Sequence, residues 1–258
     1  SGSMRAKDLK PSRIEAAQQA ALKFIESKPA HLRVGLVTVA GTAALAQAPT
    51  EEKDALRRAL ENLPLQYGSA LGSGLLISLE ALLPGSGIDA QKIINESADN
   101  GGPRKPADAG KSLDAQKPKE TEASASRGRN TAIVLISDGQ SNMGPELIKM
   151  AELAASHEVK VYTVGIGTPE GDVVQIQGRS MRVKLEDEAL KKVANITQAA
   201  YYRADSTEGL AKIYDQLGYR LRFEKRALSE ITSYLALLGM AFILIACLRN
   251  FSRFGRII

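Results

Sequence analysis

The chain has 258 residues, 44% of them hydrophobic and 24% charged, enough for one generous domain with attachments and too apolar to stay unfolded as a whole. A single cysteine, Cys247, excludes an internal disulfide framework and a thiolate zinc cluster, and two histidines, His31 and His157, leave little for a multi-histidine metal site. With no tryptophan, 5% aromatics and a net charge of only +5, nothing favours a base-stacking nucleic-acid surface.

In chain order, the first element is a helix over Pro11 to Ser27, with Ile14, Ala17, Ala21 and Phe24 on one face. Leu32 to Val39 is rich in β-branched and apolar residues and reads as a buried strand, with Ala43 to Gln47 as a short partner. Helices follow over Glu51 to Asn62, with Leu56 and Leu60 inward, and over Gly72 to Leu83, apolar enough to be buried. The run TAIVLI, Thr131 to Ile136, is the clearest strand. Pro145 to Ser156 is a helix with Leu147, Met150, Ala151 and Ala154 inward and Pro145 in its first turn. Val161 to Ile166 is a second buried strand, and Val173 to Lys184 a hairpin turning at Gly178. A helix over Glu186 to Ile196 turns Leu190, Val193 and Ala194 inward, and Ala199 to Arg203 is a short strand. Asp205 and Glu208 form a capping-box pair opening a helix that carries Leu210, Ile213, Tyr214 and Leu217. Strands alternating with helices predict an α/β fold, a doubly wound and mostly parallel sheet.

Two stretches depart from this pattern. Residues 84–130 are dominated by Gly, Pro, Ser, Ala and charge, with Leu113 the only large apolar residue after Ile94. They read as a flexible low-complexity insertion, because such a segment cannot bury enough apolar surface to offset its ordering entropy. The second is Ile231 to Leu248, ITSYLALLGMAFILIACL, which carries no charge. At a rise of about 1.5 Å per residue it reaches the lower limit for a transmembrane helix. A juxtamembrane linker, 219–230, precedes it and a basic tail, 249–258, follows. Arg249, Arg253 and Arg256 in the tail favour a cytoplasmic C-terminus, although Arg220, Arg222, Lys225 and Arg226 make the other flank basic too.

In parallel α/β sheets, ligands gather beyond the carboxyl ends of the strands. Three loops there carry hard oxygen donors of the kind Mg²⁺ prefers: SGSM with Ser1 and Ser3, YGSALGSG with Ser69, and SDGQSN with Asp138. Taken singly, each is an ordinary Ser-Gly or Asp-Gly turn.

Together and in this order they resemble the von Willebrand factor type A domain. Ser1 and Ser3 match the two serines of its Asp-x-Ser-x-Ser motif, Ser69 stands where the family usually has threonine, and Asp138 matches its strand-Asp-Gly loop. The resemblance runs over residues 1–218, and VYTVGIGT, LEDEALKKVANIT, YYRADS and the apolar C-terminal segment look like the membrane-anchored bacterial members of the aerotolerance BatA/BatB type. The resemblance implies a Rossmann-like fold with a metal-ion-dependent adhesion site. Ser1, Ser3 and Ser69 would coordinate Mg²⁺ directly, and Asp138 directly or through water. A partner's Asp or Glu would complete the coordination. It further implies a bacterial inner-membrane protein with one C-terminal span, a periplasmic domain, and partners among other proteins of this type or an AAA ATPase-linked complex.

Two departures bear on that expectation. Ser69 keeps the hydroxyl but lacks the methyl group that restricts a threonine rotamer. The motif's first aspartate would lie two residues before Ser1, and the central strand leading to it would lie further upstream. The chain is therefore expected to be an N-terminally truncated piece of a longer protein, or else SGS is a cloning scar ahead of Met4. The expected function is a membrane-anchored, metal-dependent protein-binding module and not an enzyme. A metal-independent scaffold is the first alternative. A phosphate-binding enzyme using Gly68, Gly72 and Gly74 is the second, opposed by the absence of a P-loop lysine after GSALGSG.

Overall fold

The computed structural model describes residues 2–63, 68–99, 131–176, 179–204, 209–210, 240, 242 and 249. The chain divides into two units, Ser1–Asp215 and Gln216–Ile258. All elements below belong to the first. The apolar segment 231–248 lies outside the described residues except for Met240 and Phe242, which are exposed. Among the described residues no helix is long and apolar enough to cross a membrane.

A 3-10 turn, Gly2–Arg5, leads into α1, Arg13–Ser27. The Ser12 hydroxyl caps α1 by accepting from Glu15 N at 3.3 Å, so the sequence Ser-x-x-Glu starts the helix where a capping box should. The buried positions are Arg13, Ala16, Ala20 and Ile25. The inward stripe is thus rotated by about one residue from the expected Ile14, Ala17, Ala21 and Phe24, which are only half-buried. Its first member is charged, and a hydrophobic pattern cannot register it.

Strands β1, Val34–Val39, and β2, Ala43–Thr50, form an antiparallel pair with a register shift near Leu36. Helix α2, Lys53–Glu61, lays Leu56 and Leu60 against Ile25, Val34 and Leu36. β1 is half-buried and not the fully buried strand expected. It pairs with β2 on one edge, and among the described residues no strand pairs with the other.

Helix α3, Leu71–Leu82, carries the main core through Leu71, Leu75, Leu76 and Leu79. It packs on β1 and β2 and against α5, Leu147–Ser156. The approach to the α5 segment is close because residue 72 is glycine: a Cβ there would collide with the Pro145 carbonyl. Pro145 itself lies two residues before α5 and is not in its first turn, a correction to the expected helix start. A further difference concerns residues 84–130. Residues 90–99 form helix α4, Ala90–Asp99, whose first turn is held by Lys92 N donating to Asp89 Oδ1 at 2.9 Å. Ala90, Ile93 and Ile94 join the main core, which supplies the burial that the average composition conceals. Residues 100–130 lie outside the described residues.

The parallel part of the sheet has the order β3-β4-β7, from β3, Ala132–Ser137, β4, Lys160–Ile166, and β7, Tyr201–Ala204. Both pairings are parallel and β4, in the middle, is buried from Val161 onward. α5 and α6, Asp187–Ile196, pack with α3 over β3 and β4, with Leu147, Met150, Ala151, Ala154, Leu190, Val193 and Ala194 inward as expected. Between β4 and α6 in the chain stands the expected antiparallel pair β5, Asp172–Ile176, and β6, Arg179–Val183; its turn at residues 177–178 lies outside the described residues. β3 has β4 on one edge and, among the described residues, no partner on the other. The expected capping box at Asp205 and Glu208 lies outside the described residues.

Candidate functional site

The carboxyl ends of β3 and β4 define the site. Asp138 follows β3 directly and is buried. Its carbonyl accepts from Glu186 N at 2.8 Å, and Gly139 turns the chain away with φ +89°. A Cβ at residue 139 would fall on the Glu186 carbonyl oxygen, so both the close approach and the positive φ require glycine here. The Ser137 hydroxyl accepts from Gly139 N at 3.1 Å and closes the turn.

The Ser69 loop is tied to the same loop. Ser69 N donates to Asn142 Oδ1 at 2.9 Å, and Asn142 N and Met143 N donate to the Ser69 carbonyl at 2.9 and 3.2 Å. Ala70 N donates to the Ala40 carbonyl at 2.7 Å, which fixes the loop to the end of β1. Ser69 is buried. Ser3 is buried in the 3-10 turn, where its carbonyl accepts from Ala6 N at 3.2 Å, and the Ala6 carbonyl accepts from Arg13 N at 2.9 Å. The loops of Ser69 and Asp138 are therefore joined by hydrogen bonds through Asn142, and the 3-10 turn of Ser3 is bonded through Ala6 to Arg13 N. Ser1 lies outside the described residues.

Sequence reasoning missed Arg13, Asp8, Thr168 and Asn142. Arg13 is fully buried at the head of α1. Its Nε and Nη2 donate to the two carboxylate oxygens of Asp8 at 2.7 and 2.6 Å, and Nη2 also reaches the Val183 carbonyl at 3.3 Å. Nη1 stands 3.5 Å from Asp138 Oδ2 as an ion pair. Neither Nη1 nor Oδ2 has a hydrogen-bond partner among the described residues, although both are buried. The guanidinium has room because residue 167 is glycine: a Cβ there would lie 2.7 Å from Arg13 Cζ. Asp8 also accepts from Thr168 N at 3.0 Å and Thr168 Oγ1 at 3.2 Å, which ties the first loop to the end of β4. Burial pushes the Asp8 carboxyl up, but the Arg13 and Thr168 bonds outweigh it and hold the group below the ordinary aspartate value. The signal for Arg13 was its spacing: it precedes Ala16 and Ala20 by three and seven residues, on the buried stripe.

A buried carboxylate oxygen without a hydrogen-bond donor, at Asp138 Oδ2, is the kind of hard oxygen a divalent cation prefers, although the Arg13 guanidinium already offsets its charge. Ser69, whose loop is bonded to that of Asp138, and Ser3 are the other expected oxygen donors among the described residues.

Two family profiles, both described as von Willebrand factor type A domain, match residues 1–100 and 89–216. The chain belongs to the von Willebrand factor type A family. This domain is 30% identical over 240 residues to the UPF0353 protein of Nocardia farcinica, covering 86% of this chain and 61% of that protein. The chain thus spans about three-fifths of the length of that curated relative. Its fold is similar to that of BatB from Bacteroides thetaiotaomicron, with TM-score 0.63, 18% identity and coverage of 88% of this chain and 95% of the other. It is also similar to an aerotolerance-related membrane protein from Bacteroides fragilis, with TM-score 0.62, 20% identity and coverage of 85% and 94%.

Proposed function

We propose that this von Willebrand factor type A domain is a membrane-anchored protein-binding module, not an enzyme. Its Asp138-centred site takes up a divalent cation, Mg²⁺ by the chemistry of the donors, and a partner's Asp or Glu completes the coordination. Ser1, Ser3 and Ser69 supply neutral hydroxyls, which leave the ion's charge unquenched and available to that carboxylate. The observation that carries the reading is the buried, hydrogen-bond-orphaned Oδ2 of Asp138, at a loop hydrogen-bonded to that of Ser69. The apolar segment 231–248 supports anchoring by one C-terminal span, with the domain on the periplasmic side of a bacterial inner membrane.

The test is isothermal titration of Mg²⁺, with Mn²⁺ in parallel, into the full chain in detergent, wild type against Asp138→Ala. The expected outcome is saturable uptake weakened at least tenfold by the substitution. Equal uptake by both proteins, or none by either, refutes the reading. A metal-independent scaffold is the second reading, favoured by one observation: Arg13 already stands as counter-ion to Asp138. Partner capture unchanged by EDTA would select it.

A further inference from the structure

We infer that Arg13, held by Asp8, is a positioning residue that sets the cation affinity of the Asp138 site by placing a fixed positive charge against its carboxylate. The inference rests on the metal-site reading above and deepens it.

The guanidinium cannot serve a ligand directly, because it is fully buried. Its Nε–Nη2 edge is committed to both oxygens of Asp8. That carboxylate is in turn saturated by Thr168 N, Thr168 Oγ1 and Leu9 N at 3.1 Å, so Asp8 is not free to swing toward an ion at Asp138. What remains is Nη1, 3.5 Å from Asp138 Oδ2. Arg13 is thus bonded to one carboxylate and only paired electrostatically with the other. Without an ion it offsets the charge of Asp138. With an ion on Asp138 the same guanidinium faces a like charge inside a buried site, where little water screens it. The occupied site then keeps more positive charge, which raises its pull on an incoming carboxylate.

A purely structural role and an electrostatic one predict different signs. If Arg13 only held the loops together, removing either member of the Asp8–Arg13 pair would loosen the site and weaken uptake. If its charge sets affinity, the two removals act in opposite directions. Arg13→Gln deletes the opposing charge and tightens binding, whereas Asp8→Asn leaves the guanidinium uncompensated and weakens it. Each change is about tenfold. Arg13→Lys keeps the charge without the fork and stays within about threefold of wild type.

The experiment titrates Mn²⁺ into the full chain in detergent for all four proteins, with thermal denaturation of the ion-free forms confirming folding. Opposite shifts for Arg13→Gln and Asp8→Asn, with Arg13→Lys near wild type, support the inference. Where Arg13→Gln does not fold, weakening in Asp8→Asn combined with retention in Arg13→Lys supports it, and unchanged affinity in Asp8→Asn overturns it. Uptake by wild type that is unchanged or weakened in a folded Arg13→Gln overturns the inference alone. No uptake by any of the four overturns the metal-site reading as well.

Discussion

Gly139→Ala tests how the candidate site is held. Gly139 has φ +89°, and placing a methyl group there costs about 1 kcal/mol from backbone conformation. The methyl group would also fall on the Glu186 carbonyl oxygen. Relief requires the Asp138 and Glu186 segments to separate, which breaks the 2.8 Å bond from Glu186 N to the Asp138 carbonyl. Leaving those groups unsatisfied costs about 1–3 kcal/mol. The substitution should therefore destabilise the domain by about 2–4 kcal/mol, a fall in Tm of roughly 5–15 °C for a domain of this size. Gly85 supplies the control: its φ is +87°, yet nothing lies within 4 Å of an added Cβ. Gly85→Ala should cost about 1 kcal/mol, the conformational part alone. Urea denaturation followed by circular dichroism measures both. If the two variants differ by less than about 0.5 kcal/mol, the close packing of the Asp138 turn against Glu186 is not what demands glycine, and the reasoning fails.

Two further outcomes are expected. Burial, followed by the charge and hydrogen bond of Asp187 at 3.2 Å, pushes the Tyr201 hydroxyl up to about 12. A folded pKa above the unfolded value of about 10 favours the protonated form, so its stabilisation is present below pH ~10 and lost as pH rises through about 12. Tyrosinate absorbance should lose a late component in Tyr201→Phe; ionisation of Tyr201 along with exposed tyrosines would contradict the burial argument. Thr197 Oγ1 accepts from Val161 N at 3.1 Å and donates to the Val193 carbonyl at 2.9 Å, joining the end of α6 to β4 inside the core. Thr197→Val should cost about 1–3 kcal/mol and Thr197→Ser less than about 1 kcal/mol, measured by denaturation; equal costs would show that the hydroxyl is not the connection.

The elements legible in the sequence were those whose burial follows a simple period. β4 is a run of apolar residues buried on both faces, and α5 and α6 place every expected residue inward. α4 was hidden because Ile88, Ile93 and Ile94 sit at the entrance of a polar, glycine-rich stretch whose average dominates any window that includes them. The half-burial of β1 was not legible either. Its residues are apolar enough for an interior strand, but burial depends on neighbours on both edges, and only β2 pairs with it among the described residues. Of the candidate residues, Asp138 stands directly after β3, whereas Ser3 and Ser69 follow no strand and are singled out by their likeness to the von Willebrand factor type A motif.

Arg13 was not readable for the opposite reason, and it explains the rotation of α1. Hydrophobic periodicity assigns charged residues to the solvent face, so Arg13 pushed the inferred stripe to Ile14, Ala17, Ala21 and Phe24. The structure instead buries Arg13 with Ala16 and Ala20 beneath it. Burying a guanidinium is favourable only where its charge and donors are met. Asp8 meets two donors, Val183 shares one of them, and Asp138 stands against the charge. The helix orientation is thus fixed from its first turn by the polar cluster it helps to build. Alanine at positions 16 and 20 keeps that face slim, as burial of the helix there requires. The features that defeated the pattern and the features that organise the site are the same: five residues apart in sequence, Asp8 and Arg13 use the start of α1 to fasten the first loop to the ends of β3 and β4.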